Sequence, residues 1–211
     1  MPSDFLLSLP QFSGFLAVAV LITLAPGPDN LMVLGLGMAR GRRAGVMFGL
    51  GCALGCANHT LLAALGVSAL LAASPAAFTA LKIAGGLYLV WLGIQAIRNA
   101  RPASMATAMN EPPMKLFARG LIANAVNPKV ILFFLAFLPQ FVDGARGHAG
   151  WQIAQLGLVF TVETALIFSA IGWFAGVLGE RLARRPTIGT WLDRVAGGIF
   201  VALGLRLLTT R

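Results

Sequence analysis

Residues 25–30 read Ala25-Pro26-Gly27-Pro28-Asp29-Asn30, and they lie inside an apolar run, not at its end. Each proline lacks an amide hydrogen and clashes with the turn before it, so the carbonyls of Ile22 and Leu24 lose their usual helical donors. Gly27 between them permits backbone angles that other residues avoid. A helix entering this stretch must break, and the break carries a carboxylate and an amide. Unpaired backbone at membrane depth is tolerated only where protein or a water-filled cavity satisfies it. The alternative is a loop joining two short interfacial helices.

The rest of the chain decides that a membrane is the relevant solvent. Of its 211 residues, 58% are hydrophobic and 11% charged, with a mean hydropathy of +0.83. A soluble domain of this length cannot bury so much apolar surface. A spanning helix takes roughly 20 apolar residues, and such runs fall at about 12–38, 44–72, 76–98, 116–141, 151–178 and 188–208. The reading is an all-α, polytopic membrane protein of six spans with short connections and no separate soluble domain.

The net charge of +9 and pI near 11.3 would suggest nucleic acid in a soluble protein. Here the basic residues lie between apolar runs, with no continuous face for a phosphate backbone, so no nucleic-acid partner is expected. Arg40, Arg42, Arg43, Arg98, Arg101, Lys115, Arg119, Arg181, Arg184, Arg185 and Arg194 flank the first, third and fifth connections, against Lys82, Arg146, Arg206 and Arg211 on the other side. The excess holds its side in the cytoplasm, which predicts both termini on the periplasmic side of an inner membrane. Residues 1–39 hold no Lys or Arg, so the start of a cleavable signal peptide is missing and the first helix is expected in the mature protein.

A weak internal repeat constrains the topology further. Lys82-Ile-Ala-Gly-Gly-Leu-Tyr-Leu-Val-Trp-Leu-Gly93 in the third run is echoed by Arg194-Val-Ala-Gly-Gly-Ile-Phe-Val-Ala-Leu-Gly204 in the sixth. If residues 1–98 and 116–211 are related halves joined by a cytoplasmic linker at 99–115, each has three spans. An odd number forces the second half to be inverted, an arrangement common in secondary transporters. Chance similarity between two Gly-rich helices is the competing account.

In the second half the place matching the first break is Asn124-Ala-Val-Asn127-Pro128-Lys129. Pro128 frees the carbonyl of Asn124, and the two amides both donate and accept. Broken helices at equivalent positions of two halves point to a transporter's central site, here helices 1 and 4. Candidate substrate-binding residues are therefore Pro26, Gly27, Pro28, Asp29, Asn30, Asn124, Asn127, Pro128 and Lys129. An amino acid suits them, its ammonium on freed carbonyls and Asp29, its carboxylate on Lys129 and half-helix amide ends. Lys129 has a second reading, snorkelling to the cytoplasmic headgroups.

Glu163 sits mid-way along the fifth run, where a charge is costly unless protonated, paired or hydrated. It, Asp29 and His59 are the candidates for proton coupling; His59 titrates naturally near neutrality, and a hydrogen-bonded packing role is its alternative. Asp29 and Glu163 are the acids deep within the apolar runs, so a neutral or anionic substrate suits the breaks better than a dibasic one. Cys52 and Cys56 lie four apart on one helix face without further ligands for a metal, and read as packing residues. Small residues at four-residue spacing, Gly41, Gly45 and Gly49 then Gly51 and Gly55, let helices approach closely. No phosphate loop, zinc-protease motif or plausible Ser/His/Asp set is present, so neither an enzyme nor direct ATP drive is expected, and no cofactor.

These strings resemble the LysE/RhtB family of amino-acid exporters along nearly the whole chain. The resemblance is carried by Ala-Pro-Gly-Pro-Asp-Asn at 25–30, by Lys82 with Gly86, Tyr88, Leu89 and Leu92-Gly93, and by Asn127-Pro-Lys129 through Leu132-Phe-Phe134 to Phe137-Leu-Pro-Gln-Phe141. It implies a six-helix efflux protein driven by the proton gradient and working as a homo-oligomer. Similar proteins usually have Thr before Pro-Gly-Pro, where this chain has Ala25 with Thr23 nearby. Substrate would pass outward as one half rocks against the other. Two other classes are a membrane thiol-redox conduit through Cys52 and Cys56, and a non-transporting assembly factor.

Overall fold

The computed structural model describes residues 6–98, 111–183 and 187–209, and every long element among them is helical. The linker expected at 99–115 falls mostly outside the described residues. Helix α1 (Leu9–Leu24) starts at a capping box in which Ser8 and Gln11 exchange side-chain and backbone hydrogen bonds. It ends at the proline string, and α2 (Pro28–Arg40) departs at 57° to it. Then follow α3 (Arg42–Ala73) and α4 (Pro75–Arg98).

The second half repeats this order. α5 (Pro113–Ala125) meets α6 (Pro128–Leu132), whose path continues through a π-helical turn at Phe133–Phe137 and a 3-10 turn at Leu138–Phe141. The bend between Pro113–Ala125 and Pro128–Phe141 is 48°. α7 (Ala149–Ala183) and α8 (Thr187–Thr209) complete the chain. Among the described residues, three helices are long and apolar enough to cross a membrane, and up to five such spans result if each bent pair counts as one. Large apolar side chains such as Leu61, Leu65, Leu158, Leu166, Phe174 and Trp191 point outward, the arrangement expected where lipid is the solvent.

Glycine decides how the helices approach. α3 and α7 run antiparallel and touch where a Cβ on Gly45 would lie 2.8 Å from the Cα of Gly172, and again where Gly157 abuts Thr60. The shift in register that carries Gly45 onto Gly157 also carries Thr60 onto Gly172, so the two contacts are one contact with the partners exchanged. α4 and α8 do the same. Gly93 faces the carbonyl of Gly197 and Gly86 that of Gly204, the repeated Gly positions meeting each other to within one residue.

The two halves do not form separate bodies. Their most extensive packing is with each other, α3 along α7 and α5, α4 along α8, α2 along α7. Rocking one half against the other, as expected from the repeat, would have to slide or repack these seams. The α4–α8 pair meets the remaining helices mainly through the turn at Phe133–Phe137, with slighter contacts to α3 and α1.

Basic residues collect at one end of the bundle. Arg40 donates to the carbonyl of Glu111 at 2.8 Å, Arg119 pairs with the Glu111 carboxylate at 3.1 Å, and Arg42 lies over the ring of Trp173. At the other end, Gln11 donates to the carbonyl of Phe141 and to Gln152, which donates to the carbonyls of Asp143 and Gly147. One apolar core, with Val33, Phe48, Leu116 and Phe168, fills the basic end, and a second, with Phe15, Phe133, Phe137 and Phe160, fills the other. The helix breaks lie in the layer between them.

Candidate functional site

The two breaks meet. Asn124, on the last turn of α5, donates its amide to Asp29 Oδ2 at 2.8 Å, on the first turn of α2. Lys129, on the first turn of α6, reaches back across the first break and donates to the carbonyl of Ala25 at 2.7 Å, with Asn30 Oδ1 at 3.5 Å. Asn30 in turn donates to the carbonyl of Thr23 at 2.6 Å. Thr23 caps nothing itself; its hydroxyl donates to Glu163 Oε1 on α7 at 2.7 Å, and Thr164 adds a longer bond of 3.4 Å. Five helix segments, α1, α2, α5, α6 and α7, thus contribute to one buried polar cluster.

The local folding reasons are those of helix ends. Pro28 and Pro128 each occupy the first helical position, where a missing amide costs nothing. Asp29 and Lys129 are each the residue after that proline, so equivalent places in the two halves carry opposite charges. Asn127 caps α6 by accepting the amide of Lys129 at 3.0 Å. Gly27 is extended, at φ −160° and ψ 179°, and a Cβ there would lie 3.2 Å from the Lys129 side chain. Its role is to leave space for that chain.

Of the two readings of Lys129, the side chain follows the inward one. It is 5% exposed and turned onto the first break, with Phe200 of α8 beneath its ammonium at 5.4 Å. The carbonyl of Asn124, freed by Pro128, accepts from Asn127 N at 2.9 Å and from His59 Nε2 at 3.0 Å. Since a carbonyl only accepts, His59 donates through Nε2. His59 also packs on Phe134 and is buried; it buttresses the second break from behind and does not reach the carboxylates.

Each carboxylate in the cluster is only half satisfied. Asp29 Oδ1 and Glu163 Oε2 are buried and have no hydrogen-bond partner. In a medium of low dielectric an unpartnered, ionised oxygen is expensive, and the cluster offers a single cation, Lys129, which is engaged by a neutral carbonyl.

Two spaces adjoin the breaks. The one inside the cluster, lined by Thr23, Asp29, Asn30, Asn124, Lys129 and Thr164, has only about 10 Å³, room for about one water. The other measures about 540 Å³ and is bounded by Pro26, Gly27, Asn127, Lys129, Tyr88 and Trp91. Lys129 belongs to both.

Thr23 and Thr164 were not singled out for a role from sequence, although Thr164 adjoins Glu163 and Thr23 lies just before the proline string. A hydroxyl is available near the string despite Ala25. Cys52 and Cys56 are wholly buried, with Cys56 Sγ 3.6 Å from Asn124 Oδ1, sealed from any partner outside the bundle. No group of residues able to hold a metal occurs among the described residues.

Comparison with known proteins bears on this arrangement. The family model of the LysE type translocator matches residues 20–211. An uncharacterized membrane protein of Vibrio cholerae is 35% identical, covering 94% of this chain and 96% of its own. A leucine efflux protein of Klebsiella pneumoniae is 30% identical over 94% of this chain and 95% of its own, and a homoserine/homoserine lactone efflux protein of Salmonella typhimurium is 30% identical over 94% and 96%. No solved structure matches the chain. With a family model spanning nearly the whole sequence, including both proline breaks and Glu163, the chain belongs to the LysE type translocators, membrane transporters and not enzymes.

Proposed function

We propose that the protein exports amino acids or closely related small metabolites across the inner membrane by proton antiport. The observation that carries this reading is the meeting of two proline-broken helices around Asp29, Asn30, Asn124 and Lys129, with Glu163 in contact through Thr23. Transporters place substrate and coupling-ion sites where interrupted helices converge. The efflux of leucine and of homoserine named for relatives supports the substrate class.

In this reading the chain has six spans, α1–α2 and α5–α6 counting as one each, with 1–98 and 116–211 as inverted repeats. The exchanged glycine contacts on α3–α7 and α4–α8 support the inversion. The basic end lies in the cytoplasm, and both termini face the periplasm. Asp29 Oδ1 and Glu163 Oε2 are where a proton is held. Proton arrival neutralises a carboxylate, and its departure leaves a charge that the substrate ammonium compensates, so the two ligands alternate. Movement of the α4–α8 pair against the rest, not of one half against the other, opens the site, since that pair meets the other helices mainly through the turn at Phe133–Phe137.

The test is counterflow in proteoliposomes holding the purified protein at two opposed pH gradients. Exchange of labelled amino acid should follow the proton gradient. It should fall at least tenfold in Asp29→Asn and in Glu163→Gln while both proteins remain folded. Full activity in both variants would remove the carboxylate mechanism.

A further inference from the structure

The polar cluster is too small for the molecule it is thought to move. Its free space holds about one water, and Asp29, Asn30, Asn124 and Lys129 already bond one another or nearby backbone. The space of about 540 Å³ on the other side of Lys129 is of the size that holds small ligands, about 300–1,000 Å³. It touches both breaks, through Pro26, Gly27 and Asn127.

The far wall of this space is a single face of α4. Tyr88, Trp91, Leu92 and Gln95 recur at the three- and four-residue spacing that puts side chains in one stripe. Phe200 of α8 closes it beneath Lys129. The lining is overwhelmingly apolar, and Lys129 is the one charged residue in it. A substrate carboxylate has a cation to meet. A side-chain ammonium has no carboxylate to meet, and a short hydroxylated side chain would leave the aromatic wall unfilled.

We infer that this cavity is the substrate's side-chain subsite, and that the preferred substrate is a neutral amino acid with a large apolar side chain, its carboxylate on Lys129. Tyr88 and Trp91 are then specificity-determining residues. The inference rests on the exporter reading above and adds to it where the side chain lies and what chemistry it has.

The probes are leucine, phenylalanine, threonine and lysine, compared by counterflow in proteoliposomes of the full chain. Leucine and phenylalanine should be exchanged in preference to the other two. Tyr88→Ala and Trp91→Ala should each raise KM for leucine and phenylalanine about tenfold, the worth of burying part of such a side chain, with threonine little affected. A second readout does not depend on turnover. In a protein carrying Trp151→Phe, Trp173→Phe and Trp191→Phe, Trp91 is the single tryptophan, and saturating leucine should shift its emission.

Unchanged KM values together with unmoved Trp91 emission, in a protein that still exchanges amino acids and loses exchange with Asp29→Asn, would overturn the subsite and leave the exporter reading intact. A preference for lysine would overturn it likewise. No exchange of any probe by the wild-type protein would overturn both.

Discussion

Asn124 Nδ2 and Asp29 Oδ2, 95 residues apart in the chain, meet at 2.8 Å and join the two helix breaks directly. The contact is deep, with Asn124 1% and Asp29 3% exposed. Asn124 is held for this task from three sides: its carbonyl by His59, its side-chain oxygen by Cys56, and its Cβ by Gly55, where an added Cβ would come within 2.8 Å.

Asn124→Leu removes the hydrogen bond that Asp29 Oδ2 accepts and leaves a buried carboxyl group without a donor, a loss of about 1–3 kcal/mol. The expected outcome is a fall in thermal midpoint together with at least tenfold slower counterflow. Asn124→Gln, which keeps the amide but lengthens the reach, should recover part of the stability and little of the transport. Equal transport in the wild type and Asn124→Leu would show that the break-to-break bond is not used.

Thr23 and Glu163 should behave as a unit. The Thr23 hydroxyl gives Glu163 Oε1 its short bond of 2.7 Å, so Thr23→Val and Glu163→Gln strike the same interaction. Thr23→Val alone is expected to slow transport severalfold, against at least tenfold for Glu163→Gln, and the double variant should be no slower than Glu163→Gln, a coupling that a double-mutant cycle reads directly. Additive losses would mean that the hydroxyl acts elsewhere. Thr161→Val is the control, since that hydroxyl only returns to the backbone carbonyl of Gly157 on its own helix.

Much of this was legible in the sequence. All six apolar runs lie within the helices observed, because a proline pair inside such a run has few alternatives to a break and a connection of Arg-Gly-Arg at 40–42 has few alternatives to a turn. Asp29, Asn30, Asn124 and Lys129, which the structure brings together, are legible as candidates because each adjoins or lies within a proline break. His59 was grouped with the carboxylates by its chemistry, yet it stands behind Asn124, a matter of helix rotation that no local pattern encodes. The aromatic wall of α4 was missed for a similar reason. Tyr88 and Trp91 stand on a helix that is apolar nearly all round, and which stripe faces the breaks depends on how α8 crosses it.

The α4–α8 seam makes neighbouring glycines unequal. A Cβ on Gly197 would lie 2.5 Å from the carbonyl oxygen of Gly93 and 3.0 Å from the backbone nitrogen of Ile97, whereas nothing stands within 4 Å of one on Gly198. Gly197→Ala must push two backbones apart, which costs about 1–3 kcal/mol, and Gly198→Ala should be neutral or slightly stabilising, since Ala is the better helix former. Thermal midpoints of the two purified variants decide the matter. Similar values would mean that the helices do not cross at the repeated glycines.

Cys52→Ser with Cys56→Ser separates transport from thiol chemistry. Both cysteines are fully buried on α3, and Cys56 offers Asn124 only a long, weak bond of 3.6 Å that a serine hydroxyl replaces. The double variant is expected to keep counterflow within about twofold and to lose no more than the roughly 1 kcal/mol typical of a modest buried change. Wild-type protein in membranes should resist maleimide until it is unfolded. Loss of exchange in the double variant, with the folded protein still present, would revive the redox reading.

Gly27 supplies the test of Lys129. Its backbone is extended and free of strain for any residue, so an alanine there is opposed by one thing, the Lys129 chain at 3.2 Å. That chain is the flexible partner and gives way by a few tenths of an ångström, loosening its 2.7 Å bond to the carbonyl of Ala25. Gly27→Ala is therefore expected to leave the thermal midpoint within a few degrees while slowing transport severalfold, and Gly27→Leu to abolish transport by displacing the ammonium. Lys129→Met should match Gly27→Leu in transport. If Gly27→Leu transports normally while Lys129→Met does not, the ammonium works from some position other than the one it holds between the breaks.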